Sequence, residues 1–392
     1  MHKRSIAFVT LVALVLCLTA NAHSAVSSYE TQSTKTEYSL TALSPPALSA
    51  RSAVLIDADS CRVLCGVLHN ERMAMASTTK IMTALVAAEA GELDRLVSVS
   101  PDAVGIEGSS IYLYAGEKLT LRDLICAMLL ESANDAAAAI AIEVGGSIEG
   151  FCAMMNEKAK ELGLCDTHFT NPHGLYDEEH YTTAYELAVI ASRVLANKTL
   201  RKIVSSKKMT VTPIEGSVRV LYNHNKMLAM YDGAIGIKTG FTKKSGRCLV
   251  SAAERNGLTL IAVTLDAPDD WRDHTSLLDL GFESFERLEL CRAGEIFHML
   301  PVMGGKDMHV PLVASDTLSI TLNKDDAERL EYSVNSYNRY EFAPLKKESK
   351  KAELCVSLDG KEIASVPLVC ANEVSMNTEN KGISEKIKDI FK

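Results

Sequence analysis

Ser77 and Lys80 are a serine and a lysine three residues apart, a pairing that could perform nucleophilic chemistry. A serine hydroxyl is a weak nucleophile until a neighbouring base accepts its proton. On a helix the two side chains would lie on one face, so the Lys80 amine could reach the hydroxyl. A lysine can serve as that base only when burial or a nearby positive charge lowers its pKa. The spacing alone is a weak signal, because Ser205 and Lys208 share it.

A second polar motif, Ser132-Ala133-Asn134, begins 55 residues after Ser77 and separates two strongly apolar segments. Segments that are apolar on nearly every side are typical of buried helices, so a polar trio between them is expected to have a function. The Ser132 hydroxyl could relay a proton to a leaving amine, and the Asn134 amide could hold a substrate carbonyl.

A third motif, Lys238-Thr239-Gly240, occurs once in the chain and follows a predicted strand. Lys238 and Thr239 offer a positive charge and a hydroxyl to a substrate carboxylate. Gly240 would allow another backbone to approach closely. The backbone N–H groups of Phe241 and Ser77 could together form an oxyanion hole.

The order of the three motifs carries more weight than any one of them, because this ordered set is found in penicillin-binding proteins and class A β-lactamases. The Ser205 pair fails this test, since no Ser-x-Asn lies between it and Lys238. The surrounding segments resemble those of the low-molecular-weight D-alanyl-D-alanine carboxypeptidases. The resemblance covers about residues 50–290 and is carried by residues 76–84, 131–137, 171–175, 180–184 and 236–242.

The resemblance implies a reaction as well as a fold. Ser77 would attack the peptide bond between the two terminal D-alanines of a peptidoglycan stem peptide and hold the remainder as an ester. Lys80 would be the base, Ser132 would assist proton transfer, and Lys238 with Thr239 would bind the terminal carboxylate. Penicillin and other β-lactam inhibitors would acylate the same serine, and no metal or cofactor would be required.

Two other enzymes share these motifs. A D,D-endopeptidase acting on cross-linked peptidoglycan can have all three, so the sequence leaves it open. A class A β-lactamase is less well supported, because it relies on a glutamate in a Glu-x-x-Leu-Asn setting. No such run lies between Asn134 and Lys238, and a lactamase has no need of a further β domain. An inactive penicillin sensor is disfavoured by the intact Lys80, Ser132 and Lys238.

A zinc-binding module is a further alternative, because Cys165, His168, His173 and His180 are close together in the chain. Their spacing fits no common structural zinc pattern. We therefore predict loop residues beside the active site and no metal.

The nine cysteines after Cys17 are odd in number and lie mostly in apolar segments, which predicts small core residues rather than disulfides.

The elements predicted to position the motifs indicate an α+β protein. The resemblance makes the first part a β-lactamase/transpeptidase-like catalytic domain, an antiparallel sheet with helices, over residues 45–292. Short β-like runs between charged turns then predict a small all-β domain over residues 293–375. The predicted strands are 53–57, 63–67, 234–238, 248–253 and 258–265, and the predicted helices begin at Ser77 or cover 120–130 and 135–144.

The first residues of the chain predict export. Residues 1–22 have a basic start, a short apolar run and a small-x-small cleavage site, which is typical of a signal peptide, and residues 23–44 form a flexible leader. Removing residues 1–22 changes the net charge from −9 to −11, so nucleic acid is a poor partner. The expected location is the cell envelope, either on the outer face of the cytoplasmic membrane or secreted.

The tail, residues 376–392, has an amphipathic stripe that could lie in a membrane interface. Its apolar side chains recur at helical spacing, namely Ile383, Ile387, Ile390 and Phe391. A terminal helix packed on the protein would show the same pattern, so peripheral membrane contact is one of two expectations.

Overall fold

The computed structural model describes residues 42–214 and 216–377. The predicted signal peptide, nearly all of the leader and the amphipathic stripe of the tail therefore lie outside the described residues. In chain order the strands are β1 (Ser52–Asp57), β2 (Val63–Val67), β3 (Leu96–Ser98), β4 (Lys118–Thr120), β5 (Lys208–Val211), β6 (Arg219–Tyr222), β7 (Ala234–Thr242), β8 (Gly246–Arg255), β9 (Leu258–Leu265), β10 (Phe285–Cys291), β11 (Ile296–Met303), β12 (His309–Ala314), β13 (Leu318–Asn323), β14 (Leu330–Ser336), β15 (Glu341–Phe342), β16 (Lys350–Leu358) and β17 (Lys361–Cys370). The helices are α1 (Lys80–Glu89), α2 (Leu121–Leu130), α3 (Asn134–Gly145), α4 (Ile148–Glu161), α5 (Ala184–Ala196), α6 (Lys198–Val204), α7 (Met227–Met230) and α8 (Asp270–Ser284).

The central sheet of the first domain is antiparallel, in the order β2-β1-β9-β8-β7. Its two faces belong to different cores. Val54 and Ile56 of β1 pack with the main helical cluster, whereas Ala53 and Leu55 pack with the cluster that contains α8. Because successive side chains of a strand alternate between faces, a strand covered on both sides is buried throughout, as β1 is.

Strand β7 lies at the edge of this sheet and carries the Lys-Thr-Gly motif. It extends to Thr242, four residues beyond the predicted end at 238, and pairs with β8 over that extension as well. The apolar pattern stops at Lys238 because the following residues face the cleft or solvent rather than a core. Backbone pairing, which the apolar pattern does not report, carries the strand further.

The helices that hold the second motif agree with the prediction. Thr120 caps α2 through its hydroxyl, which accepts the N–H of Asp123 at 3.0 Å. The first two turns of helix α3 are buried on all sides, with residues 136–141 at most 2% exposed. No single helix among the described residues is both long and apolar enough to cross a membrane. The α3–α4 pair passes that test only jointly, with an 82° bend between the helices, and α3 is part of the core.

The helix predicted to begin at Ser77 differs in its first turn. Ala76–Thr79 is a 3₁₀ turn, and α1 begins at Lys80. Ala76 has a left-handed backbone, with φ of +48°. This conformation is unfavourable for a residue with a side chain, so the surrounding structure must hold it in place.

The second domain is all β, as predicted. A six-stranded sheet in the order β14-β16-β17-β12-β11-β15 encloses its own apolar core. Strand β10 pairs with β13, so β-domain pairing starts at Phe285, eight residues before the boundary expected at 293. The two domains are also in contact, because the Arg62 guanidinium donates to the carbonyl of Thr321 at 2.6 Å.

Candidate active site

The amine of Lys80 is the centre of the site. Its Nζ atom lies 3.0 Å from Ser77 Oγ, 2.7 Å from Asn134 Oδ1 and 2.6 Å from the carbonyl oxygen of His173. The structure thus brings together the serine and lysine of the first motif and the asparagine of the second. The second serine–lysine pair with this spacing, Ser205 and Lys208, has other partners. Ser205 Oγ donates to the Lys202 carbonyl, and Lys208 Nζ lies over the ring of Tyr222.

These three contacts can be made by an ammonium, which has three N–H groups, or by a neutral amine, which has two N–H groups and a lone pair. The oxygen of Asn134 and the carbonyl of His173 can only accept, so each takes one N–H of Lys80. A neutral amine then keeps a lone pair for its third neighbour, the hydroxyl of Ser77. The electrostatic surroundings favour the neutral form. Complete burial lowers the pKa of Lys80 well below its ordinary value, and the positive charge of Lys238 is the next largest cause.

Asn134 positions this amine. Its Nδ2 group donates to the carbonyl of Glu107, which leaves Oδ1 facing Lys80. Both ends of the amide are therefore engaged with the protein. The sequence predicted a substrate ligand here, and the geometry adds a part in orienting Lys80.

Ser132 lies in the short loop between α2 and α3. It is buried, has a left-handed backbone with φ of +62°, and its Oγ makes no hydrogen bond with another described residue. A strained and buried serine with an unengaged hydroxyl is typical of a residue kept for a ligand.

The Lys-Thr-Gly strand packs against the turn that carries Ser77. A Cβ atom on Gly240 would lie 3.0 Å from the Ser77 backbone nitrogen, which is the close approach predicted for this glycine. Lys238 is buried and its Nζ donates to the Thr239 carbonyl at 2.9 Å. Burial lowers the pKa of Lys238 to about 7. Phe241 follows with an exposed ring.

A chain of hydrogen bonds behind Ser77 was not predicted. The Thr170 backbone N–H donates to His180 Nδ1 at 3.0 Å, so the proton of this imidazole is on Nε2. Nε2 donates to Thr79 Oγ1 at 2.8 Å, and Thr79 Oγ1 donates to the Ala76 carbonyl at 2.7 Å. Burial lowers the pKa of His180 to about 4, which keeps the ring neutral. The chain fixes the strained residue that precedes Ser77.

The other residues weighed as zinc ligands have separate surroundings. His168 Nδ1 bonds the Glu179 carbonyl, Cys165 is exposed, and burial lowers the pKa of His173 to about 3. In the described part of the chain, no group of three or more His, Cys, Asp or Glu side chains is placed to hold a metal ion.

Asp135 is a site residue that the sequence reasoning missed. Its buried carboxylate accepts hydrogen bonds from Ser110 Oγ at 2.6 Å and from the backbone N–H of Leu113 at 3.0 Å. The same loop contributes the Ser109 carbonyl, which accepts the Asn134 backbone N–H at 2.7 Å. The signal was an acidic residue at the start of an otherwise apolar helix.

Arg247 was also missed. It lies opposite Phe241 in the β7–β8 pairing, and its guanidinium donates to Asp270 Oδ1 at 2.8 Å. Its Nε is buried without a hydrogen-bond partner among the described residues. A second cation therefore lies next to the strand that carries Lys238.

Gly174 offers a test of how tightly the Ser77 turn is held. It has φ of +89°, and an added Cβ would lie 1.9 Å from the Ala76 carbonyl oxygen. We expect Gly174→Ala to lower acylation about 100-fold, because displacing the reacting groups by about 1 Å costs that much. The measurement is the rate of penicillin acylation, together with a thermal melt.

Gly163→Ala is the matched control, since Gly163 has φ of +74° and nothing within 4 Å of an added Cβ. This variant should lose about 1–2 kcal/mol of stability from the left-handed backbone alone and acylate normally. Equal acylation by the two variants would show that the contact with Ala76 does not position Ser77.

Comparison with known proteins identifies the family of the chain. A family model described as D-alanyl-D-alanine carboxypeptidase matches residues 39–269, and a model of the penicillin-binding protein 5 C-terminal domain matches residues 285–376. The D-alanyl-D-alanine carboxypeptidase DacF of Bacillus subtilis is 32% identical over 334 residues, 83% of this chain and 86% of that protein. The corresponding enzyme DacC of Escherichia coli is 30% identical over 360 residues, 88% of each.

Solved structures give the same result for the fold. Penicillin-binding protein 5 from Haemophilus influenzae superposes with a TM-score of 0.71 at 29% identity, covering 85% of this chain and 99% of that one. The Streptomyces K15 DD-transpeptidase superposes with a TM-score of 0.59 at 32% identity, covering 62% of this chain and all of that one. The chain therefore belongs to the D-alanyl-D-alanine carboxypeptidase family, the serine-type peptidases among the low-molecular-weight penicillin-binding proteins.

Proposed function

We propose that this enzyme removes the terminal D-alanine from peptidoglycan pentapeptide stems through an ester on Ser77, with Lys80 as the base. One observation carries the assignment of these roles. The buried amine of Lys80 lies 3.0 Å from the Ser77 hydroxyl, and its two other partners are carbonyl-type oxygens that can only accept. In its neutral form the amine would donate to those two oxygens and direct its lone pair at the hydroxyl.

In the acylation step, Ser77 Oγ attacks the carbonyl carbon of the penultimate D-alanine while its proton passes to Lys80 Nζ. The backbone N–H groups of Ser77 and Phe241 stabilise the negative oxygen of the tetrahedral intermediate. When the C–N bond breaks, the proton returns through Ser132 to the leaving amine, and free D-alanine departs. This use of Ser132 is supported by its buried hydroxyl, which makes no other hydrogen bond within the described residues.

In the deacylation step, water attacks the ester carbonyl and gives a proton to Lys80, and Ser77 Oγ leaves and recovers that proton. The product is a tetrapeptide stem. Penicillin enters by the same first step, because its strained amide takes the place of the peptide bond.

Recognition of the substrate terminus is assigned to Lys238, Thr239 and Asn134. A terminal carboxylate beside Lys238 would favour the protonated ammonium, whose pKa burial alone lowers to about 7. Gly240 makes this possible because the strand packs directly on the Ser77 turn. The Nδ2 group of Asn134 now donates to the Glu107 carbonyl. To hold a substrate carbonyl, it would exchange that hydrogen bond for one to the substrate.

Mass spectrometry of a soluble pentapeptide after incubation with the purified enzyme tests the proposal. Loss of a single alanine is the expected result. Cleavage of cross-linked peptide dimers with no action on the pentapeptide would instead establish the D,D-endopeptidase. Rapid hydrolysis of penicillin with no action on either peptide would establish a β-lactamase.

We also propose that the chain is exported to the cell envelope and attached to the outer face of the cytoplasmic membrane by its tail. The support is in the sequence: a signal-like segment at residues 1–22 and an apolar stripe from Ile383 to Phe391. Substrate location agrees, since peptidoglycan lies outside that membrane.

Deleting residues 380–392 should release most of the mature protein from membranes and leave pentapeptide cleavage unchanged. Four apolar side chains, at about 1.5–3 kcal/mol each when fully buried, give only a modest gain once partial insertion and helix ordering are subtracted. Liposome co-sedimentation of wild type and truncated protein is the measurement. Equal pelleting of both forms would show that the tail packs on the protein instead.

A further inference from the structure

One end of the β domain exposes a cluster of large apolar side chains. We define the β-domain tip as residues 303–308, 339–342 and 375–377. Its five large apolar side chains are each at least half exposed: Met303, Met308, Tyr340, Phe342 and Met376. Single exposed apolar residues are ordinary, but a contiguous group of them marks an interaction site.

The members of the tip are neighbours in space. Met303 of β11 and Phe342 of β15 are partners in the strand pairing, and the rings of Tyr340 and Phe342 lie 5.6 Å apart, edge to face. Met376 forms a bridge with Gly305 across the turn that leads to Met308. The group is therefore one patch presented by three adjoining chain segments.

The tip is also the place where the described chain ends. The Asn377 backbone N–H donates to the Gly304 carbonyl at 2.9 Å, so residue 377 is held within the patch. Residues 378–392 follow, and their apolar stripe begins at Ile383, six residues further on. Six residues span at most about 20 Å, so a tail lying in a membrane brings the tip to the same surface.

The charges beside the patch suit an anionic membrane. Lys306 and Arg339 are exposed, and neither is in an ion pair within the described residues. Of the acidic side chains in the tip, Glu341 is paired with Lys351 at 3.1 Å, which leaves Asp307. Methionine and aromatic side chains flanked by lysine and arginine are suited to the headgroup boundary.

From these observations we propose that the β-domain tip is a second membrane-contact surface, which inserts its apolar side chains into an anionic bilayer beside the tail. The proposal rests on the envelope location proposed above and deepens it. A single short amphipathic segment gives only reversible attachment, and stable anchoring takes two signals. The tip supplies the second signal and sets the β domain upright on the surface.

The test uses the full mature chain and vesicles of phosphatidylglycerol and phosphatidylethanolamine. Met303→Ser/Phe342→Ser should weaken binding about tenfold or more in co-sedimentation, since two half-exposed apolar side chains are lost from the interface. Ile296→Ser/Met299→Ser is the matched control, because both residues lie on the same strand, are at least half exposed and are outside the tip. The control should bind within about twofold of wild type.

A second readout reports insertion directly. Phe342→Trp should show a blue-shifted emission when vesicles are added, relative to wild type, whose only tryptophan is Trp271. Wild-type binding by the tip variant, or no shift from the Phe342→Trp protein, would overturn the proposal even if tail deletion releases the enzyme. A dimer in solution that the tip substitutions dissociate would assign the patch to a second copy and would also overturn it.

Pentapeptide cleavage separates this proposal from the proposed function. All the tip variants should cleave the soluble substrate at the wild-type rate, which also shows that they are folded. An inactive wild type that still binds vesicles through the tip would contradict the enzymatic proposal alone.

Discussion

Ser77→Ala is expected to abolish both D-alanine release and covalent labelling by penicillin. Ser77 is the proposed nucleophile because its Oγ is the hydroxyl that lies 3.0 Å from the buried Lys80 amine. A nucleophile and its base act as a unit, so removing the nucleophile removes nearly all of the rate enhancement. In a well-studied serine peptidase the loss in kcat is on the order of 10⁶-fold. Peptide mapping of protein labelled with fluorescent penicillin is the measurement.

Ser205→Ala is the control for this experiment, because Ser205 has the same spacing to a lysine in the sequence. Its hydroxyl bonds a carbonyl and its lysine lies over a tyrosine ring, so this variant should be labelled as wild type is. Label that persists in Ser77→Ala would show that another residue is the nucleophile.

Lys80→Ala is expected to reduce acylation at saturating penicillin by about 10²–10⁴-fold, the contribution of a positioned general base. Lys238→Ala should instead weaken capture, since losing a charge-assisted contact costs about 1.5–3 kcal/mol and leaves the Ser77–Lys80 pair in place. Rapid-mixing kinetics over a range of penicillin concentrations separates the two effects. Equal saturated rates in wild type and Lys80→Ala would exclude Lys80 as the base.

Lys80→Arg controls for the loss of a buried hydrogen-bonding side chain. Arginine keeps donors toward Asn134 and His173, but its guanidinium does not deprotonate in proteins. We expect it to be as inactive as Lys80→Ala, because a guanidinium cannot accept the proton of Ser77. Recovery of the acylation rate in Lys80→Arg would mean that Lys80 acts through its charge and not as a base.

The pH dependence follows from the same contacts. Only neutral Lys80 can accept a proton, and burial, helped by the charge of Lys238, lowers its pKa well below the ordinary value. The acylation rate at saturation should therefore fall as the pH drops through that lowered pKa, and the midpoint of the fall should lie well below the ordinary value for a lysine. Capture of a carboxylate by free enzyme should weaken above about pH 7, where Lys238 loses its proton.

The sequence alone identified the residues to which we assign the chemistry. The ordered motifs that contain Ser77, Ser132 and Lys238 belong to one reaction, and their order rejected Ser205. Local patterns also predicted the buried α3 and the helix over 120–130, which corresponds to α2. These features depend on residues near each other in the chain, so a local pattern is sufficient to find them.

The tertiary structure decided how those residues act. Lys80 is a candidate base because it is fully buried and because Lys238, 158 residues away in sequence, adds a positive charge nearby. Asn134 is oriented by Glu107, and the turn before Ser77 is held by His180 through Thr79. The burial of Lys80 and the tautomer of His180 depend on groups that only folding brings together. The spacing of residues along the chain therefore does not predict either of them.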